Sequence, residues 1–410
     1  MSPGLESGVP RNGQDLPLSI SVIIPVYNDS SNLIASIEAI FRSSYRNFEV
    51  IVVDDGSTDD SAEVARSLGA RVHQVRTRGG PAAARNLGAR LAEHPYLLFV
   101  DADVCVANET LRQVAETFRQ DPTIDAVFGS YDRSPGARNL VSQYRNLLHH
   151  HVHQRSNREA FTFWSGCGAV KRSVLLELGG FDTGIVNASI EDIELGSRLR
   201  GAGYRVVLAK EIQVQHLKRW TFWSMIRCDV FHRGIPWTRL LLREGSLPRD
   251  LNLQSRDRWS TLLALALALW LLAGSWYFRS LLLVPMVIGL TLLLADRWTG
   301  LRSPHALQEA GLIAGFWVSL VAMLVTTVRG HNLLELWLFL ASVLIAGIVM
   351  LNLSFYWLFV EIGKLHWLPL VIPLHILFYL YSGLAFTIGL VLHLGSYVGT
   401  SVIRTGVGGG

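Results

Sequence analysis

Tyr96-Leu-Leu-Phe-Val-Asp-Ala-Asp103 sets the architecture of the first half of this chain. Its five leading residues form an unbroken apolar run, the pattern of a strand buried on both faces in a parallel sheet. Two carboxylates at i and i+2 follow at once. Open α/β sheets bind ligands just beyond the carboxyl ends of their strands, and a carboxylate pair there can hold a divalent cation that in turn holds a diphosphate. A solvated turn uses the same residues, so the neighbouring sequence has to separate the two readings.

Upstream, strand-like and helix-like segments alternate. Ser21-Val-Ile-Ile-Pro-Val26, Glu49-Val-Ile-Val-Val53 and Arg71-Val-His-Gln-Val75 read as strands, with helices near Ser31–Arg42, Asp59–Leu68 and Pro81–Ala92. Pro81 suits a first helical turn, where the missing N–H is not needed. This βαβαβαβ order predicts an α/β fold with a mostly parallel sheet and helices on both faces. From Ile124 to Val214 the pattern is mixed. Ser189–Gly201 reads as a helix opening with acidic residues, which favour the positive end of its dipole, and it leads into a strand at Tyr204–Leu208.

The last third has a different composition. Of 70 charged residues (37 Lys+Arg and 33 Asp+Glu), only ten follow Ser260, whereas eleven of the twelve tryptophans lie from Trp220 onward. Apolar runs at Thr261–Phe278, Leu281–Ala295, Gly311–Val328, Leu333–Val360 and Leu365–Leu394 predict four or five membrane spans. Tryptophans suit membrane–water interfaces. Between the two halves, Lys218–Leu242 mixes Trp220, Phe222, Trp223 and Phe231 with Arg219, Arg227, Arg233 and Arg239. That mixture suits helices lying in a membrane surface or, alternatively, a helix packed on the soluble domain. The first 17 residues lack the apolar core of a signal peptide, so the soluble half is expected on the cytoplasmic face. A net charge of +4 suits anionic headgroups and does not call for nucleic acid. Cys105, Cys167 and Cys228 are too far apart for a zinc knuckle and odd in number, so no disulfide framework is expected.

Several residues carry chemistry. Pro25-Val-Tyr27-Asn28 and Asp54-Asp55-Gly56-Ser57-Thr58-Asp59 end the first two strands on the same edge as Asp101 and Asp103. A carboxylate there can accept the imide N–H of a uracil ring, while Tyr27 packs on the ring face. Gly79-Gly80 lets the backbone approach a ligand, the helix start behind it offers N–H groups to phosphate, and Arg85 can pair with phosphate or with a surface acid. Glu191-Asp192 is an ordinary dipole partner taken alone, but beside a metal–diphosphate site it supplies a general base for an incoming hydroxyl. His216 can add an imidazole to the cation. His149-His150-His151 with His153 lacks a carboxylate at metal spacing and reads as a solvated or membrane-facing helix surface.

Together, Ser21-Val-Ile-Ile-Pro-Val-Tyr-Asn28, Val53-Asp-Asp-Gly-Ser-Thr-Asp59, Ala84-Arg-Asn-Leu-Gly88, Asp101-Ala-Asp103, Gly179-Gly-Phe-Asp182, Glu191-Asp192 with Arg198–Tyr204, and His216 resemble the family 2 glycosyltransferases of the GT-A fold. The resemblance covers roughly Ser19 to His216. It implies inverting transfer from a nucleotide-sugar. Asp55 binds the base in a pocket lined by Tyr27 and Pro25, and Gly80, Arg85 and Asp101 also belong to the nucleotide site. Asp103 and His216 hold Mg²⁺ or Mn²⁺ on the diphosphate, and Asp192 acts as base with Glu191 in support. The acceptor region is expected around Trp164, Gly166 and Gly168. The implied organisation is a disordered stretch 1–17, a GT-A domain 18–217, interfacial helices 218–258, transmembrane helices 259–396 and a flexible tail 397–410.

One departure narrows the reading. Processive polysaccharide synthases of this family carry Gln-x-x-Arg-Trp after the acidic pair, but Gln215-His-Leu-Lys-Arg-Trp220 has one residue too many. Transfer of one sugar from a UDP-linked donor to a lipid or lipid-linked acceptor at the plasma membrane is therefore expected. A nucleotidyltransferase would use the same sheet and acidic site but needs a basic triphosphate signature, which is not evident beyond Arg85. A non-catalytic nucleotide-sugar-binding scaffold would not require Asp192.

Overall fold

The structure is a computed structural model that describes residues 17–185, 190–245, 251–277 and 332–405. Eight strands form one sheet in the order β3-β2-β1-β4-β7-β6-β8-β5. Strands β1 (Ile20–Val26), β2 (Phe48–Asp54), β3 (Arg71–Gln74) and β4 (Tyr96–Val100) run parallel, as their apolar runs predict. The β1–β4 ladder ends at Ile23↔Phe99, short of Pro25, which has no N–H to give. The carboxyl ends of these two strands are thus not paired with each other where Asp101 and Asp103 emerge, although each still pairs with its other neighbour.

The mixed stretch supplies the other half of the sheet, and here the order is not parallel throughout. Strand β7 (Cys167–Lys171) is antiparallel to β4, and β6 (Ala126–Tyr131) is antiparallel to β7. Strand β8 (Val206–His216) runs parallel to β6 and antiparallel to the short β5 (Val104–Val106). The β6–β8 register shifts between Phe128 and Ser130. Gly129 sits in that irregularity, and a Cβ there would lie 2.4 Å from the Ile212 carbonyl oxygen. The β5–β8 ladder pairs Val104 with His216, which sets His216 against the Asp101-Ala-Asp103 turn. The main core runs from Ile20 to Val214 between the sheet and its helices.

A second core begins on the helix Leu140–Arg155. Its Leu140, Tyr144 and Leu147 pack with Trp220, Phe222 and Met225 and with Phe355, Phe359 and Leu374 of the C-terminal helices. The histidine cluster on this helix is therefore not a solvated or membrane-facing surface. His150, His151 and His153 are buried. His150 Nδ1 lies 2.6 Å from the Tyr131 carbonyl oxygen and His153 Nδ1 lies 3.2 Å from that of Gly129. Tertiary packing against β6 claimed a face that its polarity alone assigned to solvent.

The basic–aromatic segment forms the helix Phe222–Arg227, a π-helical stretch Cys228–Gly234 and the helix Ile235–Glu244. Pro236 has no N–H and crowds the preceding turn, a condition that a widened turn relieves. Trp220 and Phe222 are buried, while Trp223 and Phe231 are 65% and 62% exposed, so one aromatic face packs inward and another faces out.

The helix Ser255–Tyr277 contains the run expected at Thr261–Phe278. The runs at Leu281–Ala295 and Gly311–Val328 lie outside the described residues. The Leu333–Val360 run is two helices, Asn332–Leu351 and Leu353–Glu361, with a 67° bend between them. Buried Asn352 sits at the break, donating to Ser260 Oγ and the Ile348 carbonyl oxygen, both at 2.9 Å, and accepting from the Tyr379 hydroxyl at 2.7 Å. Among the described residues one helix, Leu365–Gly395, is long and apolar enough to cross a membrane, and the bent pair adds one further candidate. The helix Leu368–Thr405 continues past position 397, where a flexible tail was expected.

Candidate functional site

The site is built along the carboxyl edge of the sheet. Asp55 is buried just past β2. Its Oδ1 accepts the Gly79 N–H and its Oδ2 accepts the Gly80 N–H, each at 2.8 Å. Asp55 thus holds the Gly79-Gly80 backbone, which the sequence predicts to approach a ligand. Gly80 caps the following helix at φ 85, a conformation that suits glycine. Each carboxylate oxygen keeps a further lone pair. Asn28, at φ 52, accepts the Thr58 N–H at 2.7 Å and so ties the end of β1 to that of β2. Beside it Tyr27 presents its ring outward, with the Arg78 guanidinium 4.1 Å from its centroid. Arg78 also lies 4.0 Å from Asp55, so one cation touches two candidate base-binding groups.

Arg85 belongs neither to the surface nor to an open phosphate site. It is 4% exposed. It donates to Glu191 Oε1 at 2.9 Å and to Asp101 Oδ1 at 2.7 Å, and these acids keep it charged despite its burial. Its neighbour Asn86 donates to the Phe181 carbonyl oxygen and accepts the Phe181 N–H, both at 2.8 Å. The consecutive pair Arg85-Asn86 thus joins three motifs: Asp101-Ala-Asp103, Gly179-Gly-Phe-Asp182 and Glu191-Asp192.

Asp192 begins the helix Glu191–Gly201. Its Oδ2 accepts the Ser165 N–H at 3.1 Å and the Ser165 hydroxyl at 3.3 Å. Burial, reinforced by the adjacent Glu191 carboxylate, pushes Asp192 up to about 6, with Arg85 and Arg233 pulling the other way. Such a group titrates close to neutrality, as a general base needs. Ser165 lies in Trp164-Ser-Gly-Cys-Gly168. Added Cβ atoms at Gly166 and Gly168 would lie 2.5 Å from the Trp164 ring and 2.3 Å from its carbonyl oxygen, so both glycines let this turn fold over Trp164. The Gly166 carbonyl oxygen accepts the Asp101 N–H at 3.2 Å, which keeps the expected acceptor segment beside the acidic triplet.

His216 faces Asp103, with Nε2 3.5 Å from Oδ2, and Lys218 Nζ lies 3.8 Å from the same oxygen. Burial alone would raise Asp103, but His216 and Lys218 hold it down to about 2. On its other side His216 Nδ1 lies 2.7 Å from Asn146 Oδ1, and its ring stacks on Tyr131 at 4.4 Å and 10°. Anchored by Asn146 at Nδ1, the ring aims Nε2 at the Asp103 carboxylate, a pair that a cation between them would bridge with the imidazole neutral. Among the described residues no three His, Cys, Asp or Glu side chains form a ready metal cage. Asp103 and His216 would thus be two ligands, with others to come from the substrate.

A cavity of about 220 Å³ extends from Asp192 and Trp164 to Phe378 and Phe386 on the last helix, past His149, His153 and Arg233. Sequence reasoning pointed to the Trp164–Gly168 segment and to Asp192 but missed Ser165, Asn146, Tyr131 and Arg78. Ser165 was within a flagged segment. Asn146 and Tyr131 reach the site only through the helix Leu140–Arg155 and through β6, and no local pattern marks them.

Residues 21–179 match the family model described as glycosyl transferase family 2. Glycosyltransferase GlyG of Streptococcus pneumoniae is 35% identical over 125 residues, which are 28% of this chain and 41% of that protein. Validoxylamine A glucosyltransferase of Streptomyces hygroscopicus is 29% identical over 274 residues, 57% of this chain and 63% of that one. The chain thus spans less than two thirds of the length of either relative. The solved mannosyltransferase PcManGT from Pyrobaculum calidifontis, in complex with GDP-Man and Mn²⁺, is 21% identical with a TM-score of 0.47, covering 82% of this chain and 87% of that one. The ordered motifs gathered along one sheet edge lie within or beside the stretch 21–179, which matches the glycosyl transferase family 2 model, so this part of the chain is a family 2 glycosyltransferase-like domain.

Proposed function

We propose that the protein transfers one sugar from a nucleotide-sugar to the hydroxyl of a lipid or lipid-linked acceptor, with inversion at the anomeric carbon. The observation that carries this reading is Asp192, a half-buried carboxylate pushed up toward neutrality, oriented by Ser165 and tied through Glu191 and Arg85 to the Asp101-Ala-Asp103 turn. In the reaction the acceptor oxygen bonds to the anomeric carbon as its proton passes to Asp192. The bond from that carbon to the diphosphate breaks, and the nucleoside diphosphate leaves with the electron pair. Asp55 and Tyr27, with Pro25, receive the base, and a uracil ring satisfies Asp55 by donating its imide N–H. Asp103 and His216 would hold Mg²⁺ or Mn²⁺, which when bound neutralises charge on the leaving diphosphate. Arg85 serves by positioning Asp101 and Glu191, since both ends of its guanidinium are already engaged.

Membrane attachment through the C-terminal helices, with the catalytic domain on the cytoplasmic side, belongs to the same proposal. It is supported by the apolar helix Leu365–Gly395 and by outward-facing Trp223 and Phe231. The test is Asp192→Asn in the full chain. Transfer from a UDP-sugar with Mn²⁺ should fall at least ~100-fold, while calorimetry shows UDP still bound and preferred over GDP. Undiminished transfer removes Asp192 as base, and binding of GDP alone removes the uridine assignment.

A further inference from the structure

Asp192 lies at one end of a cavity whose far wall is made by the C-terminal helices. Most of its lining is apolar or aromatic, with Trp237, Leu241, Phe378 and Phe386 among the residues that face it. Charged groups line it too: Asp192, Asp229, Arg233, Arg145 and Asp257, the last paired with Arg256 at 3.6 Å. Asp229 is engaged by Arg145 at 2.5 Å and by the Tyr381 hydroxyl at 2.7 Å. Arg233, one turn along the same π-helical stretch, lines the cavity but makes no ion pair among the described residues. It feels Asp229 and Asp192 only through space. The cavity histidines do not share its charge. Burial, with mutual repulsion at His149, keeps His149 well below its ordinary range and puts His153 at about 4. The backbone is shaped to bring Arg233 here: a Cβ on Gly234 would lie 2.7 Å from the Ala385 side chain, so glycine lets the widened turn lie directly on the last helix.

Arg233 is half-buried and, among the described residues, has no ion pair, so its donors remain open to an anionic ligand beside Asp192. We propose that this cavity is the acceptor site and that it selects a single-chain amphiphile with a phosphate head group. The phosphate lies on Arg233, a hydroxyl carried by the same head group reaches Asp192 and gives it its proton as the sugar is transferred, and the chain runs along Trp237, Leu241 and Phe378. A volume of about 220 Å³ holds the head group and a few carbons, and the rest of the chain follows the helix Leu368–Thr405, whose Leu384 and Phe386 are exposed. This assignment rests on the glycosyltransferase reading above for the role of Asp192, but the binding itself does not depend on turnover.

The test measures binding of decyl phosphate, decanol and inorganic phosphate to the full chain in detergent, by tryptophan fluorescence. Decyl phosphate should bind about ten-fold or more tightly than decanol, as a charged hydrogen bond in a dry site allows, and inorganic phosphate should bind weakly. Arg233→Gln should abolish the preference for the phosphate, and Arg233→Lys should retain most of it. Leu241→Trp, which fills the chamber, should weaken decyl phosphate and decanol together. UDP affinity, measured in parallel, should be unchanged in all three variants. Equal binding of decyl phosphate and decanol to the unaltered protein overturns the proposal, as does a phosphate preference that survives Arg233→Gln. Loss of UDP binding by the unaltered protein would instead count against the catalytic reading.

Discussion

Asp192 and Asp103 lie in one site yet are driven in opposite directions. Asp103 faces an imidazole and an ammonium and stays ionised, whereas Asp192 has burial and Glu191 beside it and rises to about 6. As the proposed base, Asp192 would be inactive when protonated. The acid limb of kcat/KM should therefore fall about tenfold per pH unit below 6 and level off above it. Beyond burial, Glu191 raises it, while Arg85, the Ser165 N–H and Arg233 lower it. Glu191→Gln should consequently shift the limb to lower pH, a change that the pH profile of the variant reads directly. A limb that stays in place would assign the ionisation to another group. The same shift bears on folding. A carboxyl group raised in the folded state binds a proton more readily there than in the unfolded chain, so its contribution to stability declines as pH rises from about 4 to about 6.

At the level of elements, the helix Glu191–Gly201 is held at backbone distance from the segment that orients its base. A Cβ on Gly196 would lie 2.2 Å from the Phe163 nitrogen and 2.5 Å from the Thr162 carbonyl carbon. Gly196→Ala must push the helix outward and loosen the Ser165–Asp192 contact. Its kcat should drop more than ten-fold, roughly the penalty of a misplacement near 1 Å, with UDP affinity retained; calorimetry and initial rates separate the two. Strands β1, β2 and β4 were legible in the sequence because each carries an apolar run and parallel burial leaves that mark, whereas β3, Arg71-Val-His-Gln74, is a partly exposed edge strand read from its place in the βα alternation. The motifs at their ends were legible for the same reason, since the strands fix where Asp55, Asp101 and Asp103 emerge. Strands β6 and β7 were not. Their order depends on a β7 insertion beside β4 that only long-range pairing specifies. The buried histidines were misread because polarity describes a residue and not its neighbours: His150 and His153 satisfy backbone carbonyls of β6. Asp55 and Arg85 were placed in the right region, but their partners turned out to be Gly79 and Gly80, and Asp101 and Glu191, rather than free ligand groups.

For the whole molecule, the second core couples the catalytic half to its helices through Tyr144, Trp220 and Phe355, and Arg133 pairs with Glu361 at 2.9 Å across the same boundary. If the last helix spans a bilayer, the full chain should remain in the membrane pellet after an alkaline carbonate wash, whereas a protein attached only by its basic–aromatic face should be released. Full release would remove the spanning assignment while leaving the catalytic one intact. The cavity between the two halves has a further consequence. None of Tyr27, Asp55, Asp103 or His216 lines it, although Asp192 does. With the acceptor in that chamber, water-borne donor and lipid-borne acceptor approach the same carboxylate through separate doors. Neither substrate blocks the other's exit, so spent nucleotide can depart while the glycosylated product is still seated, and turnover follows whichever door empties last.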